Sequence, residues 1–173
     1  MGIEAKRVMK RRNACSCSMP GVWRAVSYVE GAVVIFHSPR ACAHVARRMD
    51  INSYYRNLTT ALGECQLQTT PLLSTDLEED EAVFGGENRL RRTIRYAVET
   101  YHPRAIFIAN SCVSGVIGDD TEAVAAEMEE ETGLPVMAVT AHGFLDGEYF
   151  KGYIDASRLL AERFMKPQPK TLG

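Results

Sequence analysis

Three short, unbroken apolar runs constrain this chain more than any other feature: Gly31-Ala-Val-Val-Ile-Phe36, Arg104-Ala-Ile-Phe-Ile-Ala-Asn110 and Pro135-Val-Met-Ala-Val-Thr140. A run of this kind bounded by turn signals reads as a strand buried on both faces. Helical patterns separate the runs. His37-Ser38-Pro39 opens a helix expected from about Pro39 towards Ala61. Leu90, Ile94, Ala97, Val98 and Tyr101 share one face of a second helix, which His102-Pro103 stops. Asp119 or Asp120 is expected to cap a third, ending at Thr132-Gly133-Leu134-Pro135 with glycine just past the last turn. Phe150, Ile154, Ala161 and Met165 make the expected apolar stripe of a last helix, ending near Pro167 and Pro169. Strands buried on both faces and separated by helices need crossover connections, and therefore a parallel sheet covered on both sides. The expected fold is a three-layer α/β domain of Rossmann-like type with a mostly parallel sheet.

A chain of 173 residues accommodates one such domain. With 46% apolar residues, 24% charged residues and a net charge of −2, it has no overall charge to drive binding to a polyanion, so no nucleic-acid partner is expected. Its longest apolar stretches, about five residues, fall far short of the roughly 20 a membrane span needs. The basic start, MGIEAKRVMKRRNACSCS, lacks the apolar core of a secretory signal, and a cytoplasmic location is expected. Residues 1–14 read as a basic N-terminal extension, 15–166 as the domain, and 167–173 as a tail or the start of a further domain. The acidic runs 76–81 and 127–131 read as solvated faces, the first also as a docking surface for a basic partner.

Five cysteines, Cys15, Cys17, Cys42, Cys65 and Cys112, are irregularly spaced. In a reducing compartment they are metal ligands, catalytic thiols or plain core residues before they are disulfides. The pair at 15 and 17 is C-x-C, and no C-x-x-C or H-x3-H pair of a standard zinc site is present. In open parallel sheets, ligands gather outside the carboxyl ends of the strands. Cys42 follows the first strand's end at Phe36, Cys112 follows the second's at Asn110, and Cys17 lies in a loop-like segment, Cys17-Ser-Met-Pro-Gly21, able to reach the same edge. Three thiolates from separated segments suit an iron–sulfur cluster better than a structural zinc, with a fourth ligand expected from a partner chain. His37, His44, His102 and His142 are candidate bases or ligands, His37 and His142 foremost because each follows a strand. Gly85-Gly86 and Gly115-x-x-Gly118 lack the order of a nucleotide fingerprint, and the absence of a G-x-S-x-G elbow argues against a hydrolase.

Taken together, Cys17-Ser-Met-Pro-Gly-Val-Trp-Arg-Ala25, His37-Ser-Pro-Arg-Ala-Cys42, Ser74-Thr-Asp-Leu-Glu-Glu-Asp-Glu-Ala-Val-Phe-Gly-Gly-Glu87, Ser111-Cys112-x4-Ile-Gly-Asp-Asp120 and His142-Gly-Phe144 resemble the N-terminal region of nitrogenase component 1 and its relatives. The likeness covers about residues 15–155, in order. It implies that Cys17, Cys42 and Cys112 are cluster ligands. In nitrogenase such cysteines bind half of the eight-iron P-cluster at the interface of two subunits; in tetrapyrrole-reducing relatives they help hold a shared [4Fe-4S] cluster. The implied partners are a homologous component 1 subunit, in a homo- or hetero-oligomer, and an ATP-hydrolysing iron-protein reductase docked over the cluster, ATP being bound only by that reductase. Thr75-Asp76, Phe84-Gly85-Gly86 and Gly118-Asp119-Asp120 match framework motifs near the cluster.

The chain also departs from the pattern. A serine that can ligand the P-cluster in the nitrogenase β-type subunit is here Gly143, which favours a simpler cluster or a nitrogenase-like protein. Cys15 and Cys65 match no ligand position, Cys15 being a possible substitute. Family members run to several hundred residues, and their cofactor-binding Cys and His lie in domains beyond the matched region. No catalytic residue is therefore assigned, and an oxidoreductase component inactive as an isolated chain is expected. The alternatives are a non-catalytic scaffold for nitrogenase-type cofactor assembly and a degenerate Rossmann-like binding module with buried cysteines.

Overall fold

The computed structural model describes residues 17–27, 29–49, 70–139, 142–145 and 148–165. In chain order its elements are α1 (Ser18–Val26), β1 (Ala32–His37), α2 (Arg40–Met49), β2 (Leu72–Ser74), α3 (Glu79–Phe84), α4 (Glu87–Tyr101), β3 (Ala105–Asn110), α5 (Cys112–Ile117), α6 (Thr121–Thr132), β4 (Val136–Val139) and α7 (Tyr149–Phe164). The strands form one sheet in the order β2-β1-β3-β4, every pairing parallel. The three apolar runs are β1, β3 and β4.

Why these runs are continuously apolar is plain from their two faces. Val34 and Phe36 of β1, Phe107 and Ala109 of β3, and Met137 and Val139 of β4 face α1, α2 and α7. Val33, Ile35, Ile106, Ile108 and Val136 alternate with them and meet Leu90, Ile94 and Ala97 of α4 and Val124 and Met128 of α6. Each large side chain so buried contributes about 1.5–3 kcal/mol, and the sheet carries a core on each side: the expected three-layer α/β architecture.

The strand order creates a divide. From β1 the chain passes through α2 to β2 on one flank, whereas from β3 it passes through α6 to β4 on the other, and α2 and α6 lie on opposite faces. β1 and β3 are neighbours, paired from Ala32↔Ala105 to His37↔Asn110. Outside their carboxyl ends the connections diverge and leave a crevice, the position at which such sheets bind ligands.

Three features differ from the sequence reading, and a fourth decides between the two expected caps. The segment after Cys17 is the helix α1 rather than a loop; Pro20 stands in its first turn, where a missing N–H leaves no intrahelical bond unmade. β2 has only three residues, too few for a periodicity signal. Asp120, not Asp119, caps α6, accepting from the Ala123 N–H at 2.9 Å. The stripe expected to bury α7 faces outward instead: Phe150, Ile154 and Met165 are 70, 51 and 72% exposed, while Gly152 and Ala156 are buried. Small residues face inward because α1 and α7 touch backbone to backbone. A Cβ on Gly21 would lie 2.0 Å from the Tyr149 carbonyl oxygen, and one on Gly152 would lie 2.0 Å from that of Ser18. Of the helix expected over 39–61, Arg40–Met49 is seen; its remainder, Cys15, Cys65 and the proposed segments 1–14 and 167–173 lie outside the described residues. Among the described residues no helix is long and apolar enough to cross a membrane.

Candidate metal centre

Each of the three candidate cysteines begins a helix at the carboxyl edge of the sheet. Cys17 is the residue before α1, Cys42 the third residue of α2, and Cys112 the first of α5. Cys42 and Cys112 stand on the connections that leave β1 and β3, at the crevice between these strands. Ser111 fixes the start of α5 by a capping box: its hydroxyl accepts from the Ser114 N–H at 3.1 Å, and the Ser114 hydroxyl accepts from the Ser111 N–H at 3.0 Å. The Ser111 N–H also donates to the His37 carbonyl at 3.2 Å and so ties the two strand ends together.

Cys17 is drawn to this edge by a clasp. The backbone N–H and the hydroxyl of Ser18 both donate to the Gly143 carbonyl, at 3.3 and 3.1 Å. Gly143 has φ +59°, and a Cβ there would lie 2.8 Å from the Cys112 nitrogen. One residue thus touches the segments of both Cys17 and Cys112, and only glycine combines that approach with a left-handed backbone. The serine of the β-type pattern has no room in this geometry.

All three thiols are free and half-buried. Burial pushes the Cys17 thiol pKa up, with the Met19 N–H pulling it down and the charges of Cys42 and Cys112 raising it further. Burial likewise raises Cys42, reinforced by Cys112 and opposed by the adjacent Ser38 hydroxyl. The sulfurs therefore feel one another, and three thiolates gathered in this way repel unless a cationic group lies among them. No three His, Cys, Asp or Glu among the described residues are close enough to grip a single metal ion. A multi-iron cluster separates its cysteine ligands more widely than a single ion does, and an all-thiol donor set is the one such clusters use. The residues present fit that group.

Behind the edge lies a buried polar chain. His37 Nε2 is 2.8 Å from Asp119 Oδ2, and His37 Nδ1 is 3.1 Å from Thr75 Oγ1. Asp119 Oδ1 accepts from the Gly86 N–H at 2.9 Å, and Thr75 Oγ1 accepts from the Ser38 N–H at 3.1 Å. Burial lowers the His37 pKa and outweighs the raising effect of Asp119. The imidazole is accordingly neutral, its Nε2–H donating to the carboxylate and its Nδ1 accepting from the Thr75 hydroxyl. With both nitrogens engaged, His37 is a framework residue rather than a base or ligand. Of the other histidines, His44 is exposed on α2, His102 is the exposed left-handed C-cap of α4, and His142 is half-buried beside Gly115. Sequence reasoning missed the clasp and this chain, although Ser18, Ser38 and Ser111 each adjoin a strand end or a cysteine and were legible as polar residues at helix starts.

A model of the nitrogenase component 1 type oxidoreductases matches residues 17–172, and the chain belongs to that family. The nitrogenase iron-molybdenum cofactor biosynthesis protein NifE of Klebsiella pneumoniae is 32% identical over 177 aligned positions, covering 94% of this chain and 37% of that protein. The nitrogenase molybdenum-iron protein alpha chain of Methanosarcina barkeri is 40% identical over 91 positions, covering 53% of this chain and 17% of its own length. A solved structure described as nitrogenase Cp1 at pH 5 superposes with a TM-score of 0.68 at 26% identity, covering 92% of this chain and 32% of its own. The chain thus spans about a third of the length of the NifE relative and of the solved structure.

Proposed function

We propose that this chain is the cluster-holding domain of a nitrogenase-like component 1, with Cys17, Cys42 and Cys112 as three thiolate ligands of an iron–sulfur cluster. The cluster is either a [4Fe-4S] group or half of a P-cluster-like group, completed by a homologous subunit. The observation that supports this reading is that three free thiols stand at the starts of α1, α2 and α5 on one edge of the sheet, near enough for Cys42 and Cys112 to raise the pKa of Cys17. When bound, such a group supplies one-electron transfer. The chain's own residues fix the sulfur positions through the Ser18–Gly143 clasp and the Ser111 capping box, and half-bury the thiols against water. Electrons would come from an ATP-dependent iron-protein reductase, and the exposed Val83, Phe84 and Val116 offer it an apolar landing surface.

The likeness to NifE biosynthesis proteins favours a second reading, a scaffold that holds a cluster for cofactor assembly. Cluster transfer to an acceptor protein without substrate turnover would distinguish it from the relay. Both readings are tested by anaerobic purification and reconstitution with iron and sulfide. Stoichiometric iron and sulfide, lost in Cys42→Ser and Cys112→Ser, are expected. A protein that stays metal-free after reconstitution overturns both readings.

A further inference from the structure

A cavity of about 320 Å3 opens between the edge strand β2 and α4, with Ser74, Thr75, Arg89, Arg92, Thr93 and Tyr96 in its wall. Its charge is unbalanced towards positive. Asp76, also in the wall, has its carboxylate paired with Arg40, and Arg89 is fixed by the Asp76 carbonyl, by Glu81 at 3.0 Å and by Glu78 at 3.4 Å. Arg92 makes no hydrogen bond or ion pair among the described residues.

Two neutral donors, a backbone N–H and a phenol, share the wall with that guanidinium. Val34 N–H donates to the Pro71 carbonyl and Thr75 N–H to that of Phe36, so the backbone groups of Ser74 face away from β1, on the side that has no neighbouring strand among the described residues. Tyr96 adds a hydroxyl and stands one helical turn after Arg92 on the same face, whereas the Thr93 hydroxyl donates to the Arg89 carbonyl at 2.8 Å. Elsewhere on the edge, Arg47 donates to the Leu72 carbonyl at 2.6 Å. That bond occupies an acceptor an added strand would need and leaves the cavity to a small molecule.

We infer that this cavity binds a small oxyanion, a phosphate or a carboxylate, with Arg92 as the charged anchor and the Ser74 N–H and the Tyr96 hydroxyl as neutral donors. The site does not depend on the metal reading. It does adjoin it: Thr75 bonds both His37 and the Ser38 N–H, and the Ser38 hydroxyl is the group beside the Cys42 thiol. Binding would thus register at Ser38 and His37 as well as at the cavity wall.

The test is a 1H–15N NMR titration of the full metal-free chain with sodium phosphate and, separately, sodium malonate, at ionic strength held constant with sodium chloride. Saturable shifts of the Ser74 amide and the Arg92 Nε–H are expected with at least one of the two, and Arg92→Gln is expected to weaken that binding about tenfold or more. A response to phosphate alone or to malonate alone supports the site and identifies the anion class. Shifts that chloride reproduces, the absence of saturation with both anions, or unchanged saturation in Arg92→Gln overturn it. Arg92 is exposed and makes no bond within the described fold, so the variant's folding is not in question.

Discussion

His37 Nε2 and Asp119 Oδ2 lie 2.8 Å apart, both side chains almost fully buried, joining the end of β1 to the loop before α6 across 82 residues of sequence. The adjacent Asp120 is by contrast an exposed helix cap. Two neighbouring aspartates therefore do different work. Asp120→Ala should cost about 1 kcal/mol, the usual loss of a cap. Asp119→Ala strands the His37 Nε2–H and the Gly86 N–H, and should cost roughly 3 kcal/mol, two buried donors at about 1–3 each. Denaturant unfolding of both variants checks the order; equal costs would contradict it.

The same pair makes stability depend on pH. Unfolded histidine titrates at about 6.5, and burial holds the folded value of His37 below that. Between the two values the unfolded chain binds the extra proton, so stability is full above about pH 6.5 and declines as pH falls towards the folded pKa. Unfolding free energies measured from pH 8 down to pH 5 should show this decline, and His37→Gln should flatten it.

The crossing of α1 and α7 makes a sharper demand. With only 2.0 Å between an added Cβ and a carbonyl oxygen, Gly21→Ala and Gly152→Ala must each push the helices apart. Overpacking of this kind costs about 1–3 kcal/mol. Because Cys17 precedes α1, the same variants should also reduce iron retention after reconstitution, measured as iron per chain.

Gly143→Ser restores the side chain of the β-type pattern into a backbone with φ +59° and a 2.8 Å approach to the Cys112 nitrogen. It should destabilise the chain by about 2 kcal/mol, and Gly143→Ala should do the same. Unfolding measurements on the pair decide the point: a serine variant as stable as the parent, with an alanine variant that is not, would mean that the hydroxyl finds a partner there.

These features explain what could be read from the chain and what could not. β1, β3 and β4 were legible because a strand buried on both faces has no polar positions to blur it, and the edge that carries Cys42 and Cys112 followed from those strands. The adjacency of β1 and β3 was not legible, since pairing order is set by the flanks to which α2 and α6 carry the chain. Sequence periodicity points to the wrong face of α7 for a specific reason. Apolar periodicity weighs Phe150, Ile154 and Met165 by size, whereas a backbone-to-backbone helix contact selects Gly152 and Ala156 for their lack of it. The loop-like look of Cys17–Gly21 is explained by Pro20 and Gly21, the one harmless in the first turn of α1 and the other required at the crossing.

The Ser18–Gly143 clasp spans 125 residues. Closing a loop of that length is entropically slow compared with forming any of the local helices, so the segments of Cys17 and Cys112 are expected to meet late, once the sheet and α1 are both in place. Ribosomal synthesis would deliver Cys17 long before its anchor exists. On the proposed cluster reading, iron delivered earlier would meet isolated thiols with no preferred nuclearity, and assembly of the domain would be a checkpoint ahead of metallation.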